Sequence, residues 1–121
     1  MDRPKSRMEQ VKDIEGIKVL KALGNLTVDN TPEYYRICNT VIRDEGTKAI
    51  LLDLAEVEEM DTAGFACLMN FIREHMKEGI KIGIINLNRK EKALVEILRI
   101  APAIHLFTSE SEAIEELSRE P

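Results

Sequence analysis

Apolar positions along these 121 residues follow more than one rhythm, and each change of rhythm marks an element. Residues 8–14 and 17–23 are strand-like runs separated by Glu15-Gly16, which reads as a hairpin. The stretch "GNLTVDNTPE" then carries turn chemistry and a helix start, with Thr31 as N-cap and Pro32 at the first helical position. Tyr34, Ile37, Cys38, Val41 and Ile42 follow at helical spacing and share one face, and Gly46 is placed to end that helix at its C′ position. Ala49 to Leu54, "AILLDL", is nearly all apolar, the pattern of a strand buried on both sides in a parallel sheet. A second helix is predicted from Thr62 to about Lys77, stopped near Gly79, and Ile80 to Leu87 form the next strand. Asn88 with Glu91 makes a capping pair for a third helix that ends before Pro102. His105 to Phe107 form a short strand, and Ser109 with Glu112 caps a last helix over Ala113, Ile114 and Leu117.

After the hairpin, helices and strands alternate. The expected fold is therefore α/β: a small mixed, mainly parallel sheet of four or five strands with an N-terminal hairpin and about four helices. The chain length suits one domain over residues 8–119, with 1–7 as a frayed tail that contains Arg3, Lys5 and Arg7. In such sheets the loops after the carboxyl ends of the strands meet ligands and partners. Here those loops are 25–31, 55–61 and 86–88.

The second of these leads into Asp61-Thr62-Ala63-Gly64-Phe65, where an apolar strand hands over to an apolar helix. Asp61 or Thr62 can cap the helix by accepting a hydrogen bond from a free N–H of its first turn, and Gly64 either lets another backbone or side chain come close or supports a sharp entry turn. A well-capped helix is a complete account of these residues. A second account uses the same physics: a helix N-terminus favours negative charge, so a phosphate on this hydroxyl would add roughly −1.5 to −2 charges without melting its own helix. Glu58, Glu59 and Asp61 already make the neighbourhood negative, and a dianion there would expel a docked partner. Along the helix, Phe65, Leu68, Met69, Ile72 and Met76 fall on a core face. Ala63, Ala66, Cys67 and Asn70 fall roughly opposite, a small and weakly polar surface that either a partner or another part of the chain can cover.

Composition narrows the function. A formal net charge of −5 gives no electrostatic footprint for nucleic acid and disfavours an anionic membrane. No secretory segment and no bilayer-spanning run is present, so a cytoplasmic location is expected, with Cys38 and Cys67 as reduced thiols. His75 and His105 have no metal-ligand spacing, no phosphate-binding or nucleophile-elbow motif occurs, and no nucleophile has a base beside it. No cofactor, metal or enzymatic activity is expected.

The stretch "LLDLAEVEEMDTAGFACLM" resembles the STAS domain of bacterial anti-sigma factor antagonists. The hallmark there is an apolar strand ending in Asp-Leu, a short loop, then Asp-Ser/Thr-Ser/Ala/Gly-Gly-Leu opening a helix. Asp53-Leu54 and Asp61-Thr62-Ala63-Gly64-Phe65 match it, and the similarity extends over about residues 8–119. The resemblance implies a small mixed sheet with helices mainly on one side. It also implies Thr62 as the phosphoacceptor of a GHKL-type serine/threonine kinase that is itself the anti-sigma factor. The unphosphorylated form binds that kinase, and a phosphatase resets the cycle. The partner surface would comprise 25–30, Glu58 to Ala63 and the first turns of the second helix, with Asn25, Thr27, Asp29, Glu58, Glu59, Asp61, Ala63, Ala66, Cys67 and Asn70 as contacts. Two residues depart from the pattern. Where the family often has Gly-Glu-Leu-Asp, this chain has Gly24-Asn25-Leu26-Thr27, which removes a charge, and the acceptor is Thr rather than Ser. Asp-Thr-small-Gly also resembles the STAS subunit of phospholipid-transport ABC systems, which contacts an ABC ATPase, and stressosome scaffold proteins use Thr as well.

Overall fold

Glu15 and Gly16 take positive φ angles of 50° and 94°, the mirror-image turn whose twist matches two antiparallel strands. They join β1 (Arg7–Ile14) to β2 (Ile17–Leu26) in the computed structural model, which describes residues 6–75, 79–98 and 104–119, with 94–98 as backbone alone. A 3-10 turn, Val28–Asn30, leads to α1 (Thr31–Arg43). Then follow β3 (Ala49–Met60), α2 (Thr62–His75), β4 (Lys81–Ile85), α3 (Arg89–Leu98), β5 (Ile104–Leu106) and α4 (Glu110–Leu117). The five strands lie in the order β1-β2-β3-β4-β5; β1 and β2 are antiparallel, and each later pair is parallel. The mixed α/β sheet with its hairpin and four helices matches the architecture read from the sequence.

Alternation along β3 divides the core. Ile50, Leu52 and Leu54 join Tyr34, Phe65, Leu68 and Ile72 beneath α1 and α2. Ala49 and Leu51 join Ile17, Val19, Ala113 and Leu117 beneath α4 on the opposite face. Both faces of the central strands are covered, which is why they read as continuous apolar runs.

Several local readings change. β1 begins at Arg7, which pairs with Leu23, and the Ser6 Oγ accepts the Asn25 N–H at 3.1 Å, so the ordered chain reaches into the expected tail. Thr31 is inside α1 and Asn30 precedes it, because the 3-10 turn already shapes the entry; the Thr31 hydroxyl donates to the Val28 carbonyl at 3.1 Å. Gly46 is not in the left-handed region: α1 ends at Arg43, and the Thr47 hydroxyl takes up the Val41 carbonyl at 2.8 Å. The Asn88–Glu91 capping box forms with both bonds, Glu91 N–H to Asn88 Oδ1 at 2.7 Å and Asn88 N–H to Glu91 Oε1 at 3.0 Å. Ser109 accepts from the Glu112 N–H, but the Glu112 carboxylate reaches back to Thr108 rather than to Ser109. The end of the second helix at Lys77 and the stop at Pro102 lie outside the described residues.

Lys18 and Tyr34 are among the buried polar side chains, with Thr31, Thr47 and Glu91. Lys18 has a side-chain exposure of 6% and donates to Asp13 at 2.6 Å and to Asp44 at 2.8 Å. Hydrogen bonds to these two carboxylates raise its pKa, and the bond from Lys18 is the main cause that lowers that of Asp13. Tyr34 is fully buried, and its hydroxyl lies 2.8 Å from the Leu23 carbonyl and 2.9 Å from that of Asn25. Desolvation pushes its pKa up to about 12.

Candidate functional site

β3 does not stop at Leu54. It runs on to Met60, paired only with β2, since its ladder with β4 ends at Asp53 opposite Ile85. The register against β2 shifts twice in this extension, once between Lys21 and Leu23 and again between Gly24 and Asn25. Each shift adds a residue to β3, a bulge of the kind that re-aims a strand next to a site. The expected loop 55–61 is therefore a bulged strand. Glu58 is the unpaired residue of the second bulge, and Glu59 pairs across to Asn25. Both are exposed.

Asp61 turns the strand into α2 and is its cap. Its carboxylate accepts the Gly64 N–H at 2.6 Å, its own N–H donates to the Leu26 carbonyl at 3.2 Å, and its carbonyl accepts from Phe65 at 3.1 Å. Of the two capping candidates, Asp61 takes the role. Thr62 becomes the first helical residue, partly exposed, and its hydroxyl makes no hydrogen bond among the described residues.

Gly64 joins the two loops. A Cβ there would fall 2.5 Å from the Thr27 carbonyl carbon and 2.6 Å from its Cα, so only glycine lets the end of β2 lie against the first turn of α2. The Thr27 hydroxyl, where the related motif has an acid, accepts from Asn30 Nδ2 at 2.8 Å and closes the 3-10 turn. The structure thus brings Thr27, Asp61, Thr62 and Gly64 together. Asp29 is exposed on the same turn.

Asn25 is held otherwise. Its N–H is bound to Ser6 and its carbonyl to Tyr34, while its side-chain oxygen is buried without a hydrogen-bond partner among the described residues. Alternation sends that side chain to the sheet face opposite Leu26, which packs under α1 and α2. On α2, Ala63 and Asn70 are exposed and Ala66 and Cys67 partly so, as their helical positions require. Val28, in the same turn as Asp29, is 47% exposed, and Leu26 supplies the carbonyl that anchors Asp61. The signal for Val28 was a lone apolar residue among turn formers, belonging to no period.

The exposed charges on the two segments that meet at Thr62 are acidic: Asp29 on the 3-10 turn, and Glu58 and Glu59 at the end of β3. Among the described residues, no three His, Cys, Asp or Glu side chains come together to hold a metal ion. No described helix is long and apolar enough to cross a membrane.

The family model that describes the STAS domain matches residues 9–113. The chain belongs to the STAS domain family. Among relatives of this STAS chain is a Thermotoga neapolitana protein with a provisional assignment as an anti-sigma factor antagonist. It is 21% identical over 106 residues, covering 88% of this chain and 94% of the relative. The fold is shared with an anti-sigma factor antagonist from Mycobacterium paratuberculosis, at 16% identity and a TM-score of 0.78, covering 93% of this chain and 95% of the other. It is shared also with the antagonist SpoIIAA in its unphosphorylated form, at 17% identity and a TM-score of 0.65, covering 93% and 96%. The Bacillus SpoIIAA in its phosphorylated form matches at 16% identity and a TM-score of 0.60, covering 93% and 98%.

Proposed function

We propose that this STAS domain is a non-enzymatic, cytoplasmic protein-binding switch, an anti-sigma factor antagonist controlled by phosphorylation of Thr62. Unphosphorylated, it holds an anti-sigma factor that is a GHKL-type serine/threonine kinase. That kinase phosphorylates Thr62, and a phosphatase restores the binding form. The observation that carries this reading is the state of the Thr62 hydroxyl: partly exposed, without a hydrogen bond among the described residues, and one residue past a cap that Asp61 supplies alone. A group transferred to that oxygen displaces no capping bond. The roughly −1.5 to −2 charges it brings meet the acidic collar of Asp29, Glu58 and Glu59, and a partner seated there is repelled. That two forms of SpoIIAA, with and without phosphate, share this fold supports the same reading.

The test is binding of the purified chain to the isolated kinase. Thr62→Ala should bind at least as tightly as the natural chain and accept no phosphate. Thr62→Glu should bind at least tenfold more weakly, and more so at low salt, because the effect is electrostatic. Equal affinity of the natural chain and Thr62→Glu overturns the switch.

A further inference from the structure

Val28 is a large apolar side chain held out from the body of the protein, 47% exposed, by a turn with little slack. The Asn30 N–H donates to the Thr27 carbonyl at 2.9 Å, its side-chain amide donates to the Thr27 hydroxyl at 2.8 Å, and the Thr31 hydroxyl donates to the Val28 carbonyl at 3.1 Å. The first turn of α2 braces the other side, since not even a methyl fits between Gly64 and Thr27. A valine here serves neither the turn, which Asp, Asn, Ser or Gly forms better, nor the core, which it does not join. Its branched side chain has one stiff torsion on a backbone already fixed, so it loses little freedom when another surface closes over it.

The surroundings select what can close over it. Asp29 adjoins Val28, and the pairing of Met60 with Leu26 brings the end of β3, with exposed Glu58 and Glu59, beside the turn. None of these three carboxylates forms an ion pair among the described residues. A second copy docking by the same surface would set acid against acid, and nucleic acid or an anionic bilayer would be repelled likewise. The chemistry that complements an apolar tip in an acidic surround is a protein pocket lined by apolar side chains and rimmed by Lys and Arg.

We propose that Val28 is the apolar anchor of the partner contact at Thr62, seated in such a pocket of the kinase. This rests on the reading of Thr62 as that partner's target and adds the residue that carries the grip. The carboxylates hold the basic rim and set the orientation. Thr62 itself lies where the kinase must bring the terminal phosphate of its nucleotide, so a phosphate on Thr62 meets like charge there. Anchor and switch are thus separate: Val28 supplies affinity, and phosphate on Thr62 removes it.

Calorimetric titration of the isolated kinase with the full chain tests the anchor. Val28→Thr keeps the branched shape and replaces one methyl by a hydroxyl; it should bind roughly fivefold to tenfold more weakly, with an unchanged melting temperature. Val11→Thr, at an exposed valine in the bulge of β1, should bind as the natural chain does. Affinity of the natural chain should fall as salt rises, as a basic rim requires. Val28→Thr binding as tightly as the natural chain, while Thr62→Glu binds weakly, overturns the anchor and leaves the switch standing; an equal loss in Val11→Thr does the same. Weak binding by Val28→Thr with Thr62→Glu unaffected overturns the switch and leaves the anchor. An affinity indifferent to salt overturns the basic rim, and a natural chain with no affinity for the kinase overturns both readings.

Discussion

Asp61 holds the amide of Gly64 at 2.6 Å, across Thr62, whose hydroxyl is left unbound among the described residues. The cap and the phosphoacceptor candidate are therefore separate neighbours. Asp61→Ala is expected to lower stability by about 1 kcal/mol, within the 0.5–2 kcal/mol range of lost caps, whereas Thr62→Ala should stay within about 0.5 kcal/mol of the natural chain. Urea denaturation of the two variants checks this, and a reversed order would assign the cap to Thr62.

Gly64→Ala should be worse than either. Alanine favours a helix over glycine by about 1 kcal/mol, but its methyl would stand 2.5 Å from the Thr27 carbonyl carbon. That contact is with backbone and cannot yield by a rotamer change. We expect a net loss of about 1–3 kcal/mol, in the range of overpacked cores. Chemical-shift changes should centre on Leu26 and Thr27; a stabilised variant with an unshifted turn contradicts the close approach.

Tyr34 ends the β1–β2 ladder. Past Arg7, its hydroxyl meets the Leu23 and Asn25 carbonyls, so Tyr34→Phe leaves them without that donor and should cost about 1–2 kcal/mol. Its pKa is raised to about 12, so between pH 10 and 12 the unfolded chain loses this proton before the folded one does. Stability from this group is present below about pH 10 and falls as pH rises through that window. Thermal melts across pH 9–12 should show Tyr34→Phe with a shallower alkaline decline than the natural chain; identical declines would remove Tyr34 as the cause.

The Lys18 cluster works at both pH extremes. The Asp13 pKa is lowered, so its contribution is present above about pH 4 and fades as pH falls through its depressed folded value. The Lys18 pKa is raised, so its contribution is present below about pH 10 and fades as pH climbs through the elevated folded value. The melting-temperature advantage of the natural chain over Lys18→Met should be flat from pH 5 to 9 and shrink at both ends. A difference constant from pH 2 to 11 would show that packing alone distinguishes the two.

The Asn88–Glu91 capping box and the apolar runs of β2 and β3 were legible because they rest on local rules. The Thr31 and Gly46 readings failed, because a 3-10 turn shapes the entry of α1 and the Thr47 hydroxyl takes up a carbonyl at its end. The far half of β3 was not legible either. Leu54, Val57 and Met60 turn to the core at a spacing of three, since two bulges insert extra residues, and no strand period has that step. Lys18, between Ile17 and Val19, gave no sign of its enclosure, because its partner Asp44 lies beyond α1 and meets it only in the fold. The Thr62 turn was readable as a helix start. The choice of Asp61 over Thr62 as cap depended on which oxygen faces the Gly64 amide, a matter of coordinates.

From Leu54 to Met60, β3 is hydrogen-bonded to the hairpin and not to β4. The platform that carries Thr62 is thereby fastened to one half of the sheet. Opening of the β4–β5 edge breaks no ladder bond of this platform, so amides at that edge are expected to exchange faster than those from Val57 to Met60.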